Sequence, residues 1–232
     1  MGPVLDVKGL EKTFVLHTQG GVRLPVLKNS ALTVESGECV VLSGPSGAGK
    51  STLLRCVYGN YKAGSGEILV RSAEGTVDMA RAAPRTVLRL RRTTIGYVTQ
   101  FLRTVPRVPA IDIVTEPMLA LGMPMETARE RAETLLIRLG IPERLWGLAP
   151  ATFSGGEQQR VNIARGFAVD FPLFLLDEPT AALDATNRNV VIDLIEEARF
   201  RGAAIVGIFH GAEVRDAVAT RVIDMATLAE AA

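Results

Sequence analysis

The chain has 232 residues, of which 47% are hydrophobic and 22% are charged, and its formal net charge is +1. This composition is typical of a soluble globular protein of one large domain or two small ones. The near-zero charge argues against a general binder of nucleic acid or of membrane surfaces, because those functions usually need a basic excess. The sequence shows neither a signal-peptide pattern nor an apolar run near the roughly 18 residues that span a bilayer.

The cysteines, Cys39 and Cys56, lie in apolar or helical contexts without metal-ligand spacing. Buried free thiols are typical of proteins from a reducing compartment. We therefore expect a cytoplasmic protein without direct membrane insertion.

Two kinds of predicted strand differ in their hydrophobic pattern. Apolar and polar residues alternate near the amino terminus, which predicts a small antiparallel sheet from residues 4–10, 25–38 and 66–72. Other runs are apolar at successive positions, which predicts strands of a parallel sheet buried on both faces, at residues 40–44, 172–177 and 203–209.

Helical patterns separate the apolar runs, so the sequence predicts an α/β fold with a mainly parallel core sheet. One predicted helical face, in residues 126–140, consists of Ala132, Leu135, Leu136 and Leu139. Another, in residues 187–202, consists of Val191, Leu194, Ile195 and Ala198. The proline-rich segment 101–150 is interpreted as a helical subdomain inserted into a nucleotide-binding core of residues 1–100 and 151–232, within a single domain 1–232.

Residues 44–51 read GPSGAGKS, which fits the phosphate-binding pattern G-x-x-x-x-G-K-[ST] between a predicted buried strand and a predicted helix. The glycines allow successive N–H groups to face inward, and the helix start adds a positive dipole end. We expect Lys50 to reach the β- and γ-phosphates and Ser51 to bind Mg²⁺. The predicted ATP contacts are Gly44, Pro45, Ser46, Gly47, Ala48, Gly49, Lys50, Ser51 and Thr52.

The segment from Arg81 to Arg107 contains seven arginines and no acidic residue. Helical spacing would place four of them on one face, namely Arg81, Arg85, Arg89 and Arg92. Two interpretations stay open. This face is either solvated or a docking surface for an acidic partner or for phosphates.

Polar and ionisable residues follow three predicted strands. Asp177 and Glu178 follow one apolar run, Gln100 ends residues 94–100, and His210 follows residues 203–209. Because the carboxyl ends of parallel strands form the ligand-binding edge of an α/β sheet, these are candidate site residues. We expect Glu178 to act as general base on the attacking water and His210 to sense the γ-phosphate and orient that water. The predicted catalytic set is Glu178, His210, Gln100 and Lys50, and the predicted metal ligands are Ser51, Gln100 and Asp177.

Residues 153–160 read FSGGEQQR and begin a predicted helix. Ser154 and Glu157 form a capping-box pattern. Capping does not account for Gly155 and Gly156, which leave the first turn open to close approach. A second anion site can serve the same triphosphate only from another subunit. We therefore expect a head-to-tail dimer in which Ser154, Gly155 and Gly156 of one protomer cover the γ-phosphate held by its partner.

Together these motifs resemble those of the ABC-type ATPases across essentially the whole chain. The resemblance is carried by residues 44–51, Gln100, residues 154–158, Asp177, Glu178, residues 181–184 (AALD) and His210. It implies the P-loop NTPase fold, ATP and Mg²⁺ as cofactors, and hydrolysis of ATP to ADP and phosphate. It also implies that Phe14 stacks on adenine and that Glu157 and Asp184 make contacts across the dimer. The chain departs from the common family pattern at Glu157, at Gly211 and in AALD, which lacks the usual serine.

A finer resemblance concerns the partners. The stretches 15–27, 100–107, 142–167 and 201–210 resemble the PhnL subfamily of the bacterial phosphonate carbon–phosphorus lyase system. This implies a second ABC subunit, in a homo- or heterodimer, together with soluble lyase-pathway proteins. It also implies an association with synthesis of α-D-ribose 1-methylphosphonate 5-triphosphate.

Two other functions stay open. The alternative is the nucleotide-binding subunit of a membrane transporter of the lipoprotein or macrolide exporter type, whose ATPases also carry SGGEQQRV. Such a subunit would hold a helix of its membrane partner in a cleft near Gln100, rimmed by Arg103, Pro106 and Arg107. A non-catalytic ATP-dependent clamp is a third possibility, against which Glu178 and His210 argue.

Overall fold

The structure is a computed structural model that describes residues 2–16, 18, 20–102 and 106–228. Arg103, one of the arginines predicted to rim the cleft, lies outside the described residues. In chain order the elements are β1 (Leu5–Leu16), β2 (Val22–Val34), β3 (Cys39–Ser43), α1 (Lys50–Val57), β4 (Ser65–Ser72), β5 (Gly75–Asp78), α2 (Pro84–Thr93), β6 (Ile95–Val98), α3 (Ala110–Leu119), α4 (Met125–Arg138), α5 (Glu143–Trp146), α6 (Gly155–Phe167), β7 (Leu173–Asp177), α7 (Ala185–Phe200), β8 (Ala204–Ile208), α8 (Ala212–Val218), β9 (Arg221–Asp224) and α9 (Met225–Leu228).

Within the described residues the strands form two sheets. The smaller sheet has the order β2-β1-β4-β5 with antiparallel neighbours. The larger sheet has the order β6-β7-β8-β3-β9, and its neighbours are parallel. Both sheets that the sequence predicts are therefore confirmed.

The parallel sheet separates two apolar clusters, and β7 shows why its sequence is continuously apolar. Successive residues of a strand point to opposite faces. Leu173 and Leu175 pack in the cluster that includes α1 and the antiparallel sheet. Phe174 and Leu176 pack in the cluster formed with α3, α4, α6 and α7. Both faces are buried, so every position of the strand favours an apolar side chain.

The helices between β6 and α6 pack on one side of this core. The predicted apolar faces of α4 and α7 are buried, which confirms both helical patterns. Arg138 of α4 donates two hydrogen bonds to the Glu197 carboxylate of α7, at 3.1 and 2.8 Å. The helical region is thereby joined to the core.

The prediction that Arg81 shares a helical face with Arg85, Arg89 and Arg92 is wrong. Helix α2 begins at Pro84, which is favourable in the first turn but disfavours helix in the residue before it. Arg81 therefore precedes the helix and lies 3.5 Å from Glu67 and 3.6 Å from Asp78. Arg89 pairs with Glu74. Acidic residues of the antiparallel sheet thus neutralise part of this segment.

Both cysteines are buried and free, as the sequence predicts. Burial raises the pKa of Cys39 to about 12 and that of Cys56 to about 11. Both thiols therefore stay protonated and unreactive at neutral pH.

Candidate nucleotide site

The predicted site residues meet at the carboxyl edge of the parallel sheet. Residues 44–51 follow β3, Asp177 ends β7, and Gln100 and His210 lie two residues beyond β6 and β8. Because these strands are neighbours, their ends converge on a cavity of about 820 Å³. Its lining includes Gly44, Ser46, Gly47, Gly49, Lys50, Ser51, Thr52, Gln100, Glu178 and His210.

The loop between β3 and α1 has the backbone geometry that its glycines allow. Gly44, Gly47 and Gly49 have φ angles of 128°, 84° and 95°, in the region that side chains disfavour. At Gly49 a Cβ would also lie only 3.0 Å from a Leu27 methyl group. Lys50 Nζ donates to the carbonyls of Gly44 and Pro45 at 2.7 and 2.9 Å. The ammonium group therefore lies on the loop that would receive phosphates.

Asp177 is held through both of its carboxylate oxygens. Ser51 Oγ donates to Oδ1 at 2.8 Å, and the Tyr97 hydroxyl donates to Oδ2 at 3.1 Å. Burial, together with the charge of Asp177, raises the pKa of Tyr97, so the phenol stays protonated and can donate. Hydroxyl, carboxylate and Gln100 amide oxygens are the hard ligands that Mg²⁺ prefers. The donor set therefore fits this metal.

Glu178 lies between two other predicted catalytic residues. Its Oε2 accepts a hydrogen bond from Gln100 Nε2 at 2.9 Å, and its Oε1 lies 2.6 Å from His210 Nε2. Glu178 has a φ of 55°, a conformation that costs a residue with a side chain about 1–3 kcal/mol and is common at functional sites. Its N–H donates to the carbonyl of Ile208 at 3.0 Å, which anchors this backbone. The carboxylate is thus fixed at the cavity wall.

The start of α6 contains the predicted capping box. Ser154 Oγ accepts from the Glu157 N–H at 3.3 Å, and the Glu157 carboxylate accepts from the Ser154 N–H at 2.8 Å. Ser154 Oγ also donates to that carboxylate at 2.7 Å, and this hydrogen bond lowers the pKa of Glu157. The Glu157 carboxylate therefore accepts its hydrogen bonds from Ser154 at the start of its own helix.

The two glycines of this turn differ in their surroundings. A Cβ on Gly156 would lie 3.1 Å from the carbonyl of Ala182, so close packing within the protomer favours glycine there. A Cβ on Gly155 would meet nothing within 4 Å. Packing within the protomer does not explain Gly155.

Two predicted contacts lie away from the described cavity lining. Asp184 caps α7, since its carboxylate accepts from the Asn187 N–H at 2.8 Å, and this bond lowers the Asp184 pKa. The Phe14 and Tyr61 rings pack edge to face with 5.2 Å between centroids, and Lys12 Nζ lies 4.9 Å from the centre of the Phe14 ring. Adenine stacking by Phe14 and a cross-dimer contact by Asp184 stay predictions.

Sequence reasoning missed two buried amides of α6. Gln159 and Asn162 are 4% and 5% exposed. Gln159 Nε2 donates to the carbonyl of Pro179 at 3.1 Å, and Asn162 Nδ2 donates to that of Thr99 at 2.6 Å. These carbonyls lie next to Glu178 and Gln100 in sequence. Two amide side chains at otherwise apolar positions of α6 were the sequence feature that could have revealed them.

We expect Asn162→Ala to lower turnover about 10-fold, because it removes the shorter of two hydrogen bonds to the Thr99 carbonyl, leaves only the 3.5 Å contact from Gln159, and loosens the segment that carries Gln100. ATP binding should change little, since the phosphate loop is untouched. Phosphate release and equilibrium nucleotide binding measure the two effects. Gln158→Ala is the matched control, because among the described residues that amide donates only to the carbonyl of Phe153, just before α6, at 3.0 Å. Equal activity of the two variants would contradict this role.

Comparison with known proteins identifies the family. Residues 27–181 match the family model described as ABC transporter. The chain belongs to the ABC transporter family. Proteins of this family bind ATP, typically with Mg²⁺, so the family membership agrees with the donor groups of the cavity.

Two relatives and one solved structure agree with this assignment. A lipoprotein-releasing system ATP-binding protein, LolD of Maricaulis maris, is 41% identical over 91% of this chain and 89% of its own length. A glutamine transport ATP-binding protein, GlnQ of Geobacillus stearothermophilus, is 37% identical over 86% of this chain and 80% of its own. The ATP-binding cassette MJ0796, in a dimeric post-hydrolysis state with ADP and Pi, has a TM-score of 0.85, 30% identity, and coverage of 95% and 93%.

These matches confirm the predicted ABC ATPase fold and family. They do not support the finer resemblance to PhnL, because the relatives carry lipoprotein-release and glutamine-transport names. In the described part of the chain, no helix is both long enough and apolar enough to cross a membrane.

Proposed function

We propose that the protein is the ATP-hydrolysing subunit of a transporter of the lipoprotein-releasing type, and that it works as a head-to-tail dimer on a membrane partner. The observation that carries the hydrolytic part is the Glu178 carboxylate held between Gln100 and His210 at the wall of the phosphate-loop cavity. The transporter type rests on relatives such as LolD 2 of Caulobacter vibrioides, 40% identical over 91% of this chain and 90% of its own length.

Binding of ATP begins at the phosphate loop. Inward N–H groups and the positive end of α1 attract the triphosphate. Lys50 exchanges its carbonyl partners for phosphate oxygens, and Ser51, Asp177 and Gln100 would hold the metal. When bound, Mg²⁺ neutralises charge that develops on the β- and γ-phosphates.

Hydrolysis then needs an oriented water and an acceptor for its proton. Glu178 accepts that proton as general base while Gln100 and His210 keep its carboxylate in place. The side chain of His210 is 67% exposed, so its N–H can turn from Glu178 to the γ-phosphate when ATP is bound. Attack on the γ-phosphate gives ADP and phosphate.

The dimer completes this site. Ser154 and Gly155 belong to one protomer, and they cover the phosphate bound by its partner. Ser154 Oγ donates to Glu157 within the capping box, and it turns to the nucleotide when the dimer closes. Dimeric cassettes among the solved relatives support this arrangement.

A groove between α2 and α3 is the proposed binding site for a helix of the membrane partner. Its volume is about 280 Å³, and Leu88 on its wall is 53% exposed. Its lining includes Tyr58, Leu88, Arg91, Arg92, Glu116 and Pro117. Apolar and charged groups in one groove suit an amphipathic helix.

The function is tested by affinity purification from detergent-solubilised membranes, with partners identified by mass. We expect the unaltered protein to recover a membrane protein and Leu88→Asp to recover at least about 10-fold less, because a carboxylate in the groove opposes an apolar contact. Ile137→Asp is the control, since Ile137 is a 65% exposed residue of α4 outside the groove lining.

Recovery of soluble phosphonate-pathway enzymes without a membrane protein would overturn the transporter assignment. That outcome would restore the phosphonate function and the synthase role that goes with it. Equal losses for Leu88→Asp and Ile137→Asp would contradict the groove as the docking site.

A further inference from the structure

Tyr97 connects the groove to the predicted metal ligand Asp177. Its ring lines the groove and packs beside Tyr58, with 4.9 Å between centroids. Its hydroxyl donates to Asp177 Oδ2 at 3.1 Å. A single side chain therefore contacts both the groove and the carboxylate.

The Tyr97 hydroxyl lies in a charged, partly buried environment. The Arg55 guanidinium of α1 donates from Nη1 to the Tyr61 hydroxyl at 3.0 Å, and its positive charge partly offsets the rise in the pKa of Tyr97 that burial causes. The hydrogen bond from Tyr97 to Asp177 is strengthened by the low dielectric of this interior. Asp177 is 3% exposed, so few water molecules compete for its oxygens.

The two hydrogen bonds that Asp177 accepts are expected to respond differently when the metal binds. Ser51, which donates to Oδ1, is itself a predicted metal ligand, so its hydroxyl would turn to the metal. Tyr97 stands outside the predicted ligand set and can keep its bond to Oδ2 throughout. Because Mg²⁺ needs near-ideal octahedral geometry, rotation of this carboxylate would weaken its binding.

We propose that Tyr97 is a positioning residue that orients the Asp177 carboxylate for Mg²⁺ and transmits occupation of the groove to the metal site. The orienting role rests on ATP and Mg²⁺ binding, and the transmitting role rests on the proposed function. Arg91 links the groove to the Tyr58 ring, since its guanidinium lines the groove, lies 4.4 Å from the Tyr58 ring centre and donates to the Tyr58 carbonyl at 2.9 Å. A helix that displaces Arg91 or Tyr58 would shift the Tyr97 ring, and with it the hydroxyl on Asp177.

The orienting role is tested on the isolated protein with Tyr97→Phe, which removes only the hydroxyl. The probe is Mn²⁺ with ADP, followed by electron paramagnetic resonance, which needs no turnover. We expect Mn²⁺ to bind about 10-fold more weakly, the loss typical of removing a partner of a metal ligand. ADP affinity in EDTA and the melting temperature should stay close to those of the control.

Tyr58→Phe is the matched control, because it removes a hydroxyl from the neighbouring ring of the same groove. Equal Mn²⁺ affinity of Tyr97→Phe and Tyr58→Phe would overturn the orienting role. That result would leave ATP hydrolysis by Glu178 untouched.

The transmitting role is tested in the complex with the membrane partner at saturating Mg²⁺. We expect the partner to stimulate ATP turnover of Thr134→Val, which removes an exposed hydroxyl of α4 outside the groove lining, as it does the unaltered protein, and to stimulate Tyr97→Phe at least about 3-fold less. Equal stimulation of both variants would overturn transmission. Failure of the complex to form with the unaltered protein would instead contradict the proposed function, and transmission with it.

Discussion

Glu178→Gln is expected to lower ATP turnover by about 100- to 10,000-fold, the usual contribution of a general base. The amide keeps the shape of the side chain and an oxygen that can accept from Gln100, but it cannot take a proton from water. Nucleotide binding should persist because the phosphate loop is unchanged. Phosphate release measures turnover, and size-exclusion chromatography with ATP should show a trapped closed dimer.

Glu213→Gln is the matched control for this variant. Glu213 is an exposed carboxylate in the first turn of α8, so the same chemical change there should leave turnover within about 2-fold of the unaltered protein, as is usual for surface positions. Turnover of Glu178→Gln at the control rate would exclude Glu178 as the base. Absence of ATP turnover in the unaltered protein would instead favour the non-catalytic clamp.

Much of the core was predictable because a strand buried on both faces needs apolar residues at successive positions. The sequences of β3, β7 and β8 show such continuous apolar runs. Strand β9 lacks a continuous apolar run, since Arg221 and Val222 are exposed at the edge of the sheet. Its place beside β3 comes from backbone pairing, which does not require an apolar run. Edge strands of this kind are hard to find from periodicity.

The site shows a similar division. Asp177, Glu178 and His210 were predictable because strand ends and chain order decide where they lie. Tyr97 and Asn162 were not, because their roles depend on which carboxylate or carbonyl the folded chain brings within 3.1 and 2.6 Å. Sequence spacing carries no information on such contacts between distant elements.

The partner was harder to predict than the chemistry. The stretches 142–167 and 201–210 suggested phosphonate metabolism, but in the structure they include α6 and β8, which position nucleotide-site groups. The proposed partner groove is lined mainly by residues outside these stretches, such as Leu88 and Arg91, although α6 contributes Asn162, Arg165 and Gly166 to it. Likeness over stretches that serve mainly the nucleotide site is therefore weak evidence about the partner.

Gly155→Asp is expected to prevent ATP-driven dimerisation while leaving the protomer folded. A side chain at Gly155 meets nothing within 4 Å. A carboxylate in the first turn of α6 interacts favourably with the helix dipole and stabilises the helix by about 0.3–1 kcal/mol. Across the dimer the same carboxylate would face the γ-phosphate, and like charges at an interface cost several kcal/mol. We expect dimer affinity with ATP to fall at least about 100-fold, since each 1.4 kcal/mol is a factor of ten.

Dimer affinity is measured by sedimentation with ATP in the Glu178→Gln background, in which hydrolysis does not dissociate the dimer. Gly147→Asp is the control, because a side chain at Gly147 also meets nothing within 4 Å and its φ is −80°. ATP binding by the monomer should be equal in both variants, since Lys50 and its loop belong to the same protomer as the nucleotide they hold. If Gly155→Asp dimerised as tightly as Gly147→Asp, the α6 start would not cover the partner's phosphate, and Gly155 would need another explanation.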